Sequence, residues 1–288
     1  RSGESAISHY FKEGAGMKFR GEVTQQQWSD LTKFEGNANA FRILTHSFKG
    51  KGQGSFSLTY STLAAIAKYP CASIEGHDKS LIYKKKYGFF EAEQDDFRLL
   101  ATELGLEQVE GPYLAYKRHP LVYLVEAADD ICYNIIDLED AHRLKILSYR
   151  EVEDLLLPVC NDSRMKERLE SIDDYEAKIG LLRAKAISKL ISECSDVFYN
   201  EQAALLQGDF NFALIDKVTE PYLGAVKRIK EISRKQIYNH PTVVQIEVAG
   251  YKVIGGLLEE FIPAYVNDKK TSYQQKLVDL IPRQFYTD

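Results

Sequence analysis

Leu121-Val-Tyr-Leu-Val-Glu-Ala-Ala-Asp-Asp-Ile-Cys-Tyr-Asn-Ile-Ile-Asp137 is the stretch on which the reading of this chain turns. Pro120 precedes it and suits a first helical position, where the missing N–H costs nothing. The segment from Pro120 to Ala141 is apolar on nearly every side for its first three turns, which predicts a central, buried helix. Three polar groups interrupt that surface: Asp129, Tyr133 and Asp137 stand four residues apart. At roughly 100° per residue each step of four advances only about 40°, so the three side chains form one stripe, with Asp130 and Asn134 beside it. Carboxylates among Val, Leu, Ile and Ala are costly to bury unless paired or bound to a cation. Two readings fit the stripe. Asp129 is a metal ligand, with Tyr133 and Asp137 bonding a ligand beside the metal; or the stripe belongs to a network with Arg or Lys, on a helix less buried than it looks.

Working outward, helical periodicity dominates. Glu176 to Phe198 sets Ile179, Leu182, Ala186, Leu190, Cys194 and Val197 on one face with Lys178, Arg183, Lys185 and Lys189 around it, the three-and-four spacing of an amphipathic helix. Further helices are predicted over Ser2–Lys12, Phe34–Leu44, Tyr60–Lys68, Asp95–Leu104, Ser148–Leu156, Glu220–Tyr238 and much of Thr242–Tyr265. Val243–Val248 is β-branched, but its continuation through Leu257, Leu258 and Phe261 fits a helix better. Eight prolines and no regular turn spacing argue against a sandwich or barrel, so the predicted class is all-α. Lys49–Gly54 and Gly76–Tyr87 read as loops.

With 288 residues and 44% hydrophobic content, the chain can bury one large core or two ordinary ones. A net charge of −5, from 37 Lys+Arg against 42 Asp+Glu, excludes a nucleic-acid-coating protein and leaves only local basic patches. No run approaches the roughly 18 apolar residues of a membrane span, and no signal-peptide pattern opens the chain. Cys71, Cys132, Cys160 and Cys194 are scattered, with no CxxC, which suits a reducing cytosol and neither a disulfide framework nor a thiolate zinc site. The chain opens on Arg1 in a segment that reads as the middle of something, so residues are expected upstream.

Other chemistry-bearing groups are fewer. His46, the His77-Asp78 dipeptide and Asp129 together spell an H…HD…D metal pattern, as a phosphodiesterase or phosphatase would use. That reading is set aside because His77-Asp78 lies in a polar loop between Gly76 and Lys79, where a solvated pair is the plainer account. Lys84-Lys85-Lys86 could receive a polyphosphate, since clustered ammonium groups neutralise several charges at once; alone, a solubilising loop explains it better. Lys227, Arg228, Lys230, Arg234 and Lys235 read as a solvated helix face. No GxxxxGK[ST], strand-linked GxGxxG or GxSxG occurs, which excludes the commonest nucleotide and acyl-transfer machinery.

Several strings taken together resemble one family, the deoxyguanosine triphosphate triphosphohydrolases of the HD superfamily. They are Phe34-Glu-Gly-Asn-Ala-Asn-Ala-Phe-Arg-Ile-Leu44, Leu58–Ala65 with Lys68-Tyr69-Pro70, Lys85-Lys-Tyr-Gly-Phe-Phe90, Arg118-His-Pro through Tyr133 with Asp137–Ala141, and Tyr238-Asn-His-Pro241. Pro158–Gly208 matches only as a helical pattern. The resemblance implies an HD-domain-like helical bundle with additional C-terminal helices, divided here into part of a catalytic core at 1–150 and a helical region at 151–288. It implies cleavage of a deoxynucleoside triphosphate at the α-phosphate, yielding the deoxynucleoside and tripolyphosphate, with a divalent metal (magnesium, manganese or another transition metal). Asp129 matches a metal ligand, and Tyr133 and Asp137 match deoxyribose-contacting positions. Lys68, Tyr69 and Lys86 match phosphate contacts, and Asn37 a position beside the reacting phosphate. Glu4 matches the Glu of a His-x-x-Glu pair that assists the attacking water, but Arg1 stands in the place of the His. The family's first His and His-Asp ligands would precede Arg1, so one ligand in four is present. The resemblance also implies a homo-oligomer in the cytoplasm, with a nucleotide effector possible, to which the Lys227–Lys235 helix could contribute. A non-catalytic nucleotide-binding or scaffold member of the same fold is the competing expectation.

Overall fold

A computed structural model describes residues 2–47 and 56–285; Arg1 and the Lys49–Gly54 loop fall outside the described residues. Among the described residues there is no β-strand, only isolated bridges such as Ala72 with Phe89, and the all-α expectation holds. The helices in chain order are α1 (Ser2–Lys12), α2 (Gln25–Thr32), α3 (Gly36–Thr45), α4 (Tyr60–Ile66), α5 (Gln94–Leu104), α6 (Leu121–Arg143) and α7 (Tyr149–Cys160). They continue as α8 (Met165–Glu170), α9 (Tyr175–Asn200), α10 (Gln202–Gln207), α11 (Tyr222–Ile232), α12 (Pro241–Val266) and α13 (Ser272–Asp279). No helix of the described residues is long and apolar enough to cross a membrane.

The chain divides into two units, one of residues 1–119 with 245–288 and one of residues 120–244. Residue 150 lies inside the second unit, within α7. In the first unit, Phe41 of α3 and Phe97 of α5 converge on Phe89 and Tyr116, and the Phe89 and Phe97 rings stack at 4.5 Å. α2, which hydrophobic periodicity does not reveal in eight residues, starts on a reciprocal cap. The Thr24 hydroxyl accepts from the Gln27 N–H at 3.1 Å, and the Gln27 side-chain Oε1 accepts from the Thr24 N–H at 3.0 Å.

The second unit is built on α6 packed against α9 and α7. Ile131, Ile135 and Leu138 are buried, as are Ile179, Leu182, Ala186, Leu190 and Cys194 of α9; Val197 is half-buried. Glu139 of α6 is buried and accepts from Arg143 at 2.8 Å and from Arg183 of α9. An arginine network therefore exists on α6, centred on Glu139.

The expectation that α6 is buried on every side is corrected. One face (Val122, Tyr123, Ala127, Ile131, Asn134, Ile135, Leu138) is covered, while Leu121, Leu124, Val125 and Ile136 are exposed. The packed helices cover only the arc that their own apolar faces reach, and an all-round apolar sequence does not state which arc that is.

Candidate functional site

Within the second unit, Asp129, Tyr133 and Asp137 share the open side of α6, as their spacing requires. Asp129 and Asp137 are half-buried, and Tyr133 is 60% exposed. The Asp137 carboxylate accepts from the Tyr238 hydroxyl at 2.6 Å. Burial raises the Asp137 pKa above the ordinary aspartate value, the Tyr238 bond opposes that rise, and the charge of Asp140 adds to it. Asn134, on the covered face, donates to the Asp130 carbonyl at 2.7 Å. The stripe is thus an acceptor (Asp137) held in place, a free-standing aromatic ring (Tyr133) and a second carboxylate (Asp129), two helical turns end to end.

Within the first unit, four residues meet at the start of α3. Glu35 is only 7% exposed and its carboxylate accepts from the Lys86 ammonium at 2.7 Å. The Glu4 carboxylate accepts from the Gly36 N–H at 2.8 Å. Asn37 lies beside Glu35. Burial raises the Glu35 pKa first, Lys86 opposes it, the nearby charge of Glu4 adds to it, and Asn37 again opposes it. Three of the expected site residues, Glu4, Asn37 and Lys86, are therefore gathered around a fourth, Glu35, which residue spacing alone does not reveal.

Lys68 and Tyr69 follow α4 in backbone that is not helical. The Lys68 N–H donates to the Ile66 carbonyl at 2.9 Å and the Cys71 N–H to the Tyr69 carbonyl at 2.7 Å, both bonds of the tight three-residue kind. This segment is stitched to residues 114–118: Tyr116 N–H donates to the Pro70 carbonyl and Ala72 N–H to the Leu114 carbonyl, at 2.8 and 2.9 Å. On its other side Gly88 N–H donates to the Cys71 carbonyl at 3.2 Å. A Cβ on Gly88 would stand 2.3 Å from the Tyr69 carbonyl oxygen, so only glycine lets the Lys86–Gly88 segment run this close to Lys68–Cys71.

The lysine run is neither a solvated loop nor three equivalent cations. Lys84 is buried and pairs with Glu75 at 2.6 Å. Burial works against its charge, but the Glu75 carboxylate outweighs it and holds Lys84 above its ordinary value. Lys85 is exposed, and Lys86 is the half-exposed partner of Glu35. The His77-Asp78 pair closes the same loop. Asp78 accepts from the Ser80 N–H and hydroxyl at 2.9 and 2.6 Å, and the His77 ring lies 6.3 Å from that of Tyr87. Partial burial first, and then the charges of Lys33 and Lys86, hold the His77 imidazole below its ordinary value.

Among the described residues no three His, Cys, Asp or Glu side chains are gathered so as to hold a metal ion. His46 sits at the C-cap of α3. Asp129 by itself does not make a complete metal site.

No family model matches the chain. Curated relatives do. Over 289 residues the chain is 36% identical to a deoxyguanosinetriphosphate triphosphohydrolase-like protein of Pseudomonas aeruginosa, covering 98% of this chain and 64% of that protein. It is 33% identical to a protein of the same name from Synechocystis sp., again over 98% of this chain and 64% of the relative. A deoxyguanosinetriphosphate triphosphohydrolase of Yersinia enterocolitica is 28% identical over 91% of this chain and 57% of its own length. The resemblance read from the short strings thus extends over nearly the whole chain, which spans somewhat less than two thirds of the relatives it matches.

Proposed function

We propose that this chain carries the triphosphate- and sugar-binding parts of a deoxynucleoside triphosphate triphosphohydrolase. The observation that carries this reading is the gathering of Glu4, Glu35, Asn37 and Lys86 at the start of α3, in a chain whose relatives are named for that activity. Lys86 and Lys68 would neutralise phosphate oxygens, which favours attack at phosphorus and departure of tripolyphosphate. Glu35 holds the Lys86 ammonium before phosphate arrives, and Asn37 would lie beside the α-phosphate. Glu4 would accept the proton of the attacking water, its carboxylate oriented by the Gly36 N–H. Asp137, fixed by Tyr238, would accept the sugar 3′-hydroxyl, and the exposed Tyr133 ring would pack against the sugar where a 2′-hydroxyl would stand. Asp129 would hold a divalent metal together with ligands of the longer protein, and that metal would polarise the phosphate under attack. A homo-oligomer is likewise proposed, supported by exposed Ile246, Val253 and Leu257 on α12; light scattering of Val253→Asp against wild type tests it, with loss of mass expected.

The test is product analysis of the longer protein with dGTP and Mg²⁺ or Mn²⁺. Release of tripolyphosphate and deoxyguanosine is expected, and its absence with every dNTP sinks the hydrolase reading. Lys86→Met should weaken triphosphate binding by roughly tenfold, the loss of one close charge pair. A second reading, a nucleotide-binding protein of the same fold without turnover, rests on Arg1 standing where the resembled family carries the His of its His-x-x-Glu pair. Binding of dNTP that persists without product would select it.

A further inference from the structure

Building on the proposed triphosphate site, we infer that Arg118 is its positioning residue. Arg118 is only 3% exposed, yet its guanidinium serves the two segments that carry the proposed phosphate lysines. Its Nε–H donates to the Lys68 carbonyl at 2.8 Å, and its guanidinium carbon lies 5.7 Å from the centre of the Tyr69 ring. Its Nη2 reaches the Ile82 carbonyl at 3.4 Å, at the head of the turn that leads to Lys84, Lys85 and Lys86. Burying a guanidinium is costly unless its donors are used, and here planar geometry uses several at once: one fork to two carbonyls, one face toward an aromatic ring.

The backbone explains why such a clamp is needed. Lys68–Cys71 is held by tight three-residue bonds, has left the helix, and has no helical ladder to fix where the Lys68 and Tyr69 side chains start. The Ile82–Lys86 segment is likewise a single turn of 3₁₀ helix followed by a bend at Lys85 and Lys86. A lysine moved by an ångström at its Cα no longer meets the same phosphate oxygen, and misplacement on that scale costs about a hundredfold in well-ordered sites. Arg118 therefore acts on phosphate through Lys68, Tyr69 and the loop before Lys86, without touching it.

The experiment is calorimetric titration of this chain with inorganic tripolyphosphate, alongside circular dichroism and thermal melts. Arg118→Lys keeps the charge and loses the fork; it should remain helical and bind tripolyphosphate roughly tenfold to a hundredfold more weakly. Arg118→Ala leaves a guanidinium-shaped space, and millimolar guanidinium, but not methylammonium at equal concentration, should restore the affinity. A merely structural role would not give that selective rescue. Wild-type affinity in Arg118→Lys, or no rescue of a folded Arg118→Ala, overturns the inference. Should Arg118→Ala fail to fold, Arg118→Lys decides alone. Absence of tripolyphosphate binding in the wild type overturns the phosphate reading of Lys68 and Lys86 itself, and the role of Arg118 with it.

Discussion

Asp30 shows how one buried carboxyl sets a pH dependence in the first unit. It is 5% exposed; one oxygen accepts from the Glu91 N–H at 2.8 Å, and the other, Oδ1, is buried without a hydrogen-bond partner. Burial lifts its pKa to about 6, against the pull of the Glu91 N–H and the Ser73 hydroxyl and with a further push from the Glu91 charge. Because the folded value lies above the unfolded one, the favourable contribution is complete only below the unfolded pKa of about 4 and is lost as pH rises through 6. A shift of about two units corresponds to roughly 3 kcal/mol carried as a cost at pH 8. Asp30→Asn retains an acceptor for Glu91 and removes the charge, so it should stabilise the chain at pH 8 by up to about 3 kcal/mol, with the gain vanishing near pH 4. Denaturant melts of both proteins at pH 4, 6 and 8 measure this; a stability difference that does not change with pH would contradict it.

At the scale of elements, the phosphate-side geometry rests on two irregular segments lying against each other, and glycines test which contacts matter. At Gly88 a Cβ would meet the Tyr69 carbonyl at 2.3 Å, and the obstructing atom is backbone that cannot swing aside. At Gly105, the residue that ends α5, φ is +63° and nothing lies within 4 Å of a new Cβ. Gly105→Ala should therefore cost about 1 kcal/mol from the left-handed conformation alone and leave tripolyphosphate affinity unchanged. Gly88→Ala should cost about 1–3 kcal/mol by overpacking and also weaken that affinity, since the Lys68–Cys71 segment must move. Equal effects of the two substitutions on both readouts would mean that the Gly88 approach does not position the site.

For the whole molecule, what could be read in advance follows from the range of the interactions. The all-α class, the extent of α1 and the buried face of α9 were legible because they depend on local periodicity. The grip of Glu35 on Lys86, of Arg118 on Lys68 and of Tyr238 on Asp137 was not, because each joins residues 50 to 101 positions apart and spacing carries no trace of the pairing. The same limit hid which arc of α6 is covered, since its apolar residues surround the helix. Cysteine chemistry reads out that tertiary burial in both units at once. Cys71 of the first unit and Cys160 and Cys194 of the second are buried, and burial pushes their thiols to about 12, 11 and 12; Cys132, on the open side of α6, is exposed. Only thiolate reacts, so a thiol–disulfide reagent at pH 8 should label one cysteine per native chain quickly and the other three only as the fold opens. Cys132→Ser should abolish the fast phase. Two or more fast thiols in the native chain, or a fast phase that survives Cys132→Ser, would show that the cores around α4 or between α7 and α9 are not closed as described.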